Sequence, residues 1–190
     1  MSKPPKRLHW FDTAGGPHLI LPAKYAGDWE GNAPPSGGRV VEATFQCDPK
    51  GPATDYDRAG SVSDPIETIS VGRGQALVLG QGIFSTAYLR TPRGQHFLLR
   101  WIYANSEAEL LDYFHELRAR TTDGDSVEWR HPGGLVLLMD SGDTVRDPMT
   151  KPTEFALPRG KYRVSSVRGE EDPNGLVYHQ LRRIVRPRDA

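Results

Sequence analysis

The sequence predicts a β-rich α+β fold, with antiparallel sheets in two related units and one clear α-helix at about 106–120. Three observations point there. Glycine (20) and proline (16) are abundant in 190 residues, which suits short strands joined by tight turns better than a helical bundle. Apolar residues fall in short runs or strict alternation, the two patterns of strands. One stretch alone, SEAELLDYFHELRAR, combines the helical period with a start signal. Ser106 can cap the backbone while Glu109, three residues on, reaches back. Leu110, Leu111, Phe114 and Leu117 make one apolar stripe, and Arg118 and Arg120 stand where the helix dipole favours cations.

From the start, Met1 to Arg7 form a frayed basic lead, and Leu8 to Phe11 begin a strand that ends at the Ala14–Pro17 turn. HLILP is a short apolar strand, and AKYAGDWEG a turn or one-turn helix that places Trp29 inward. NAPPSGG is a loop by composition. RVVEATFQ alternates as a half-buried strand, with Val41, Ala43 and Phe45 on one side. Cys47 to Asp64 is polar and turn-rich.

In ISVGRGQALVLG, glycines bound Ala76 to Leu79, the mark of a buried strand. STAYLR turns at TPRG into QHFLLRWIYA, where Phe97, Leu99, Trp101 and Tyr103 share a face and Trp101 is expected in the core. These three strands and the helix form the expected folding nucleus. Asp123-Gly124 marks a turn, SVEWRHPGG leads into the strand GLVLLM, and DSGDTVRDPMTKP is a connection too long for a hairpin. The chain closes with two strands joined at Asn174-Gly175, a strong hairpin signal.

The ending echoes the middle. Arg73-Gly74 in VGRGQALVLG answers Arg159-Gly160 in LPRGKYRVSS, QHFLLRWI answers LVYHQLRRI, and GGPHLIL answers PGGLVLL. The chain thus divides into residues 1–122, a β-rich unit with the helix, and 123–190, a shorter β unit of a size marginal for an independent core and expected to pack on the first as one body.

Charge is balanced, 24 basic against 24 acidic residues, so nothing draws the whole molecule to nucleic acid or an anionic membrane. A single cysteine, Cys47, rules out an internal disulfide and points to a reducing compartment. No secretory h-region follows the N-terminal charges, and no apolar run approaches the ~20 residues of a membrane helix. The expectation is a cytoplasmic protein. A homodimer is left open.

No catalytic constellation stands out. Asp55, Asp57 and Arg58 form the densest charged cluster, which reads either as a catalytic carboxylate pair or, more simply, as an ion-paired loop whose aspartates accept backbone N–H bonds. Asp123-Gly-Asp125 lacks the other ligands of a calcium loop. Six histidines are scattered without metal-ligand spacing, and no nucleophile elbow, phosphate loop or dinucleotide motif occurs. No catalytic residue, metal or cofactor is therefore assigned. Two acidic segments are expected to be exposed: Asp140, Asp143 and Asp147 in the long connection, and Glu170, Glu171 and Asp172 at the final hairpin.

Five motifs in order carry a resemblance: GGPHLILP (Gly15 to Pro22), DWEG (Asp28 to Gly31), DYDRA (Asp55 to Ala59), ISVGRGQALVLG (Ile69 to Gly80) and LLRW (Leu98 to Trp101). Together they resemble the immunity protein 21 family over roughly Trp10 to Tyr103. Where that family often carries a cysteine after DYDRA, this chain has Gly60. The resemblance implies a bacterial polymorphic-toxin immunity protein, which neutralises its cognate toxin in a stoichiometric complex without enzymatic activity. Asp55, Asp57, Arg58, Asp140, Asp143, Glu170, Glu171 and Asp172 are then the candidate partner-binding residues. The competing readings are a small-molecule-binding β module with a cavity near Trp101, and a hydrolase using Asp55 or Asp57.

Overall fold

Short runs with both faces apolar can be satisfied only between two covering layers, and the architecture supplies them. A computed structural model describes residues 7–33, 43–121 and 124–185. The elements in order are β1 (Trp10–Phe11), β2 (His18–Pro22), a 3₁₀ turn (Ala23–Asp28), α1 (Asp55–Gly60), β3 (Glu67–Val71), β4 (Gly74–Leu79), β5 (Ser85–Arg90) and β6 (His96–Tyr103). They continue with α2 (Glu107–Arg120), β7 (Asp125–His131), β8 (Gly134–Asp140), β9 (Thr153–Leu157), β10 (Gly160–Glu171) and β11 (Asn174–Ile184). One antiparallel sheet runs β1-β5-β6-β11-β10-β7, the other β3-β4-β2-β8-β9.

The two sheets repeat one path. β1 lies on the first sheet, β2 and β4 pair in the second, and β5 and β6 return to the first; β7, then β8 and β9, then β10 and β11 do the same. The halves meet where β2 pairs with β8 and β6 with β11. Strand β3, α1 and α2 have no counterpart in the second half.

Burial divides into three apolar layers. Between the sheets lie Ile20, Leu77, Leu79, Val136 and Leu138 against Leu98, Trp129, Tyr162, Val164 and Leu181. The outer face of the five-stranded sheet (Leu19, Leu21, Val78, Met139) is covered by Ala26, Trp29 and Ala59 from the 3₁₀ turn and α1. The outer face of the other sheet (Phe97, Leu99, Leu176, Tyr178) is covered by Leu110, Tyr113, Phe114 and Leu117 of α2. Ser106 caps α2 by accepting the Glu109 N–H at 3.2 Å, whereas the Glu109 carboxylate takes the Asn105 side-chain N–H at 3.0 Å.

Several expectations need correction. The presumed nucleus is split: β4 belongs to one sheet, and β5, β6 and α2 to the other, because β4 finds its partners in β2 and β3. Trp101 is only half-buried, packed edge-on against Trp10 at 5.2 Å near the end of β6, and Tyr103 is exposed. The DYDRA segment is a helix, not a loop, since Thr54 caps it. SVEWRH is itself a strand, β7. The final hairpin turns at Asp172-Pro173 through a cis peptide, and Asn174-Gly175 already pairs within the ladder. Of the strand expected at RVVEATFQ, residues 39–42 lie outside the described residues, and Ala43 to Gln46 form no strand. Asp123 of the expected turn also lies outside them.

Candidate functional site

The Asp55–Asp57–Arg58 cluster is built by the local sequence TDYD. Thr54 Oγ1 accepts the Asp57 N–H at 3.2 Å, and Asp57 Oδ2 accepts the Thr54 N–H at 2.7 Å, so the capping box is closed in both directions. The other oxygen, Oδ1, accepts the Cys47 N–H at 2.8 Å and so ties down the preceding loop. Burial alone would raise the Asp57 pKa, but the Cys47 and Thr54 donors hold it below the ordinary carboxylate value. Asp55 accepts the Glu30 N–H at 3.0 Å through Oδ2 and pairs through Oδ1 with Arg58 at 3.0 Å. Arg58 also donates to the Ser70 carbonyl at 2.6 Å. Both carboxylates are at most 3% exposed, and each lies in a lattice of donors that joins α1 to its neighbours.

The acidic connection after β8 is less open than its composition suggests. Asp140, expected to be exposed, is buried: Oδ2 accepts the Ala14 N–H at 2.7 Å and Oδ1 the Gly142 N–H at 2.8 Å. A Cβ on Gly16 would lie 2.5 Å from Asp140 Oδ1, so glycine is required for this approach. Trp29 Nε1 donates to the Ser141 carbonyl at 3.0 Å, and Arg146 clamps Glu30 with both Nη atoms. Asp143 is half-buried, its pKa raised by burial and by the nearby Asp140 and Asp147 carboxylates. Asp147 is exposed.

At the last hairpin Glu170, Glu171 and Asp172 are exposed as expected. Glu170 pairs with Arg168 at 2.6 Å, and Glu171 reaches Arg120 at the end of α2 at 2.9 Å. Asp172 has no ion pair among the described residues. The three acidic groups are therefore close in the chain but differ in free charge.

Two features escaped sequence reasoning. The first is a polar centre between the sheets, where His18, Arg100, Ser166 and His179 are all buried. Their signal was positional: each stands two residues along its strand from an inter-sheet core residue, Ile20, Leu98, Val164 and Leu181 respectively. Arg100 donates to the Gly80 and Gly82 carbonyls and stacks on Phe84 at 5.2 Å, and burial lowers its pKa to about 10. His18 Nε2 donates to the Phe11 carbonyl at 3.2 Å, yet burial lowers its pKa to about 4. His179 Nδ1 lies 2.7 Å from Ser166 Oγ, and burial, with the neighbouring Arg100 and His18, pushes its pKa well down.

The second is a cleft of about 480 Å³ lined by Lys24, Arg73, Arg130, Arg159 and Lys161 together with Tyr25 and His131. It brings together the two Arg-Gly turns that resemble each other in sequence.

No group of three His, Cys, Asp or Glu side chains among the described residues could hold a metal ion. No helix among them is long and apolar enough to cross a membrane. No curated protein and no solved structure matches the chain. A family model does match, from residue 9 to residue 175, extending the resemblance of the N-terminal motifs through α2 and most of the second half to the final hairpin. The chain belongs to the immunity protein 21 family.

Proposed function

We propose that this protein is the antidote of a bacterial toxin system: it binds one cognate toxin domain in a stoichiometric complex and neutralises it in the cytoplasm, without turnover of its own. The family match over residues 9–175 carries this reading. The in-house bonding of Asp55, Asp57 and Asp140 supports it, because carboxylates committed to backbone N–H groups are poorly placed to act as general bases. Of the candidate acidic residues, Glu170, Glu171 and Asp172 at the hairpin tip are exposed, as is Asp147 in the connection after β8, with Asp143 half-buried. An acidic tip suits a toxin with a basic cleft, and complementary charge acts first on the association rate. Arg58, fixed at the α1 surface by Asp55 and Ser70, offers a second contact region.

Co-expression with the neighbouring open reading frame tests the reading. The expected outcome is rescue of growth and a one-to-one complex on size-exclusion chromatography with light scattering; a toxic neighbour left fully active would overturn it. The docking face is tested by association kinetics of Glu170→Gln/Glu171→Gln/Asp172→Asn. The expected result is a slower on-rate and a shallower salt dependence, since exposed charges are screened within ~8 Å at physiological ionic strength. Unchanged kinetics would place the interface elsewhere.

A further inference from the structure

The Arg-Gly cleft is held open by specific packing. Gln75, just after Arg73-Gly74 in β4, accepts the Trp129 Nε1–H at 3.1 Å through its carbonyl and the Arg130 N–H at 3.2 Å through Oε1, which joins β4 of one sheet to β7 of the other. β7 in turn pairs with β10 at His131–Gly160 and Arg130–Lys161, which brings the Arg159-Gly160 turn alongside. Two glycines permit close approach: a Cβ on Gly74 would strike the Tyr25 ring at 2.0 Å, and one on Gly133 would meet the Arg159 backbone at 3.1 Å. The cations thus come from five places in the chain: the 3₁₀ turn, the β3–β4 turn, β7, the β9–β10 turn and β10.

No acidic side chain lines this cleft, although acidic and basic residues are equal in number overall. Lys161 pairs with Glu128 at 2.6 Å. Lys24, Arg73, Arg130 and Arg159 have no ion pair among the described residues. Such convergence of like charge opposes folding through self-repulsion unless an anion relieves it. The hydrogen-bonding character is as one-sided as the charge. Lysine and arginine side chains only donate, and the Gln75 carbonyl and Oε1 each already accept one N–H. His131 is 3% exposed; its Nδ1 lies 3.1 Å from the Gly133 N and 3.4 Å from the Pro158 carbonyl, and its Nε2 is buried without a partner.

We propose that this cleft binds a small polyvalent oxyanion, a ligand carrying two or more phosphate groups in series. The cavity has small-molecule dimensions, and its arginines come from the β3–β4 turn, β7 and the β9–β10 turn, so one ligand can be gripped from both turns. A di- or triphosphate chain presents acceptors along its whole length and matches a wall of donors. A peptide strand would also bring N–H groups, for which the lysine and arginine side chains offer no acceptor, and this disfavours an acidic protein segment as the occupant. The site lies apart from the acidic tip proposed for toxin docking and does not depend on that reading.

Isothermal titration calorimetry of the full chain at fixed ionic strength tests the proposal with inorganic tripolyphosphate, pyrophosphate, orthophosphate and hexaglutamate as probes. Saturable one-to-one binding is expected for tripolyphosphate, weaker for pyrophosphate and weakest for orthophosphate. Arg73→Gln/Arg159→Gln should weaken tripolyphosphate binding by about ten-fold or more, as for loss of charge-assisted bonds. Lys24→Gln, on a separate element, should weaken it too, so the test survives if the double variant misfolds. Arg93→Gln, in the exposed β5–β6 turn, should leave it unchanged. Absence of tripolyphosphate binding would overturn the proposal, as would equal weakening by Arg93→Gln or tighter binding of hexaglutamate.

Discussion

Asp57 gathers the Thr54 and Cys47 N–H groups and the Thr54 hydroxyl, so its role is to start α1 and fasten the loop before it. Asp57→Asn keeps the shape but replaces an acceptor oxygen by a donor facing donors. It should lower unfolding free energy by about 1–3 kcal/mol, read from urea denaturation. A hydrolytic activity abolished by this substitution would contradict the antidote reading. The inter-sheet histidines give a pH dependence of definite sign. The folded pKa of His18 is about 4 against an ordinary 6.5, so below 6.5 the unfolded chain binds the proton more readily. Stability is therefore fully present above pH 6.5 and falls as pH drops toward 4, by at most about 1.4 kcal/mol per pH unit for each such histidine. His179, shifted the same way, adds to the loss. His18→Gln should flatten the curve of melting temperature against pH between 6.5 and 4; an unchanged slope would mean that His18 titrates normally.

Among the elements, the tryptophans separate core from edge. Trp129 on β7 is fully buried between the sheets and donates to the Gln75 carbonyl, so Trp129→Ala should cost about 3–5 kcal/mol. Trp101, half-buried at the end of β6, touches mainly Trp10 and the margin of the α2 layer. Trp101→Ala should cost less, about 1–2 kcal/mol, because less area is lost and the cavity opens to water. Equal losses in chemical denaturation would show that the end of β6 is as tightly packed as β7. Alternation identified the faces of β6 correctly, but periodicity carries no information on where a strand runs out of covering layers. Likewise Asn174-Gly175 is a sound turn signal, yet the ladder continues through it: Glu171 pairs with Asn174, and Asp172-Pro173 makes the bend.

At the scale of the whole molecule, charge is polarised along the strands. β10 begins at the Arg-Gly cleft and ends eleven residues later at the acidic tip, about 36 Å away for an extended strand. β8 also starts beside the cleft, where Gly133 abuts Arg159, and ends at Asp140. The cationic cleft and the hairpin tip therefore stand at opposite ends of β10. We propose, from the repeated strand path, that residues 1–122 and 123–190 are related halves and that neither folds alone. The β2–β8 and β6–β11 ladders both cross that boundary, so each half by itself would expose a central strand edge in each sheet. Expressed separately, the halves should lack cooperative melting and regain it on mixing; a cooperative transition in the isolated N-terminal half would refute this.

The amino-acid sequence by itself determined the fold class, the α2 helix with its cap, most of the apolar strands and the family, because strand period, capping chemistry and motif order are all local. It also pointed to Asp55 as an acceptor of backbone N–H groups and to Trp29 as buried, since aspartate turn chemistry and a large ring in an apolar neighbourhood leave few alternatives. Only the tertiary structure decided which strands share a sheet, that Asp140 is buried, that His18, Arg100 and His179 meet between the sheets, and that two Arg-Gly turns 86 positions apart line one cleft. The physical reason is that charge and hydropathy are written residue by residue. Convergence of charge depends on the pairing of β7 with β10 and the packing of β4 on β7, contacts between segments whose separate patterns say nothing of one another.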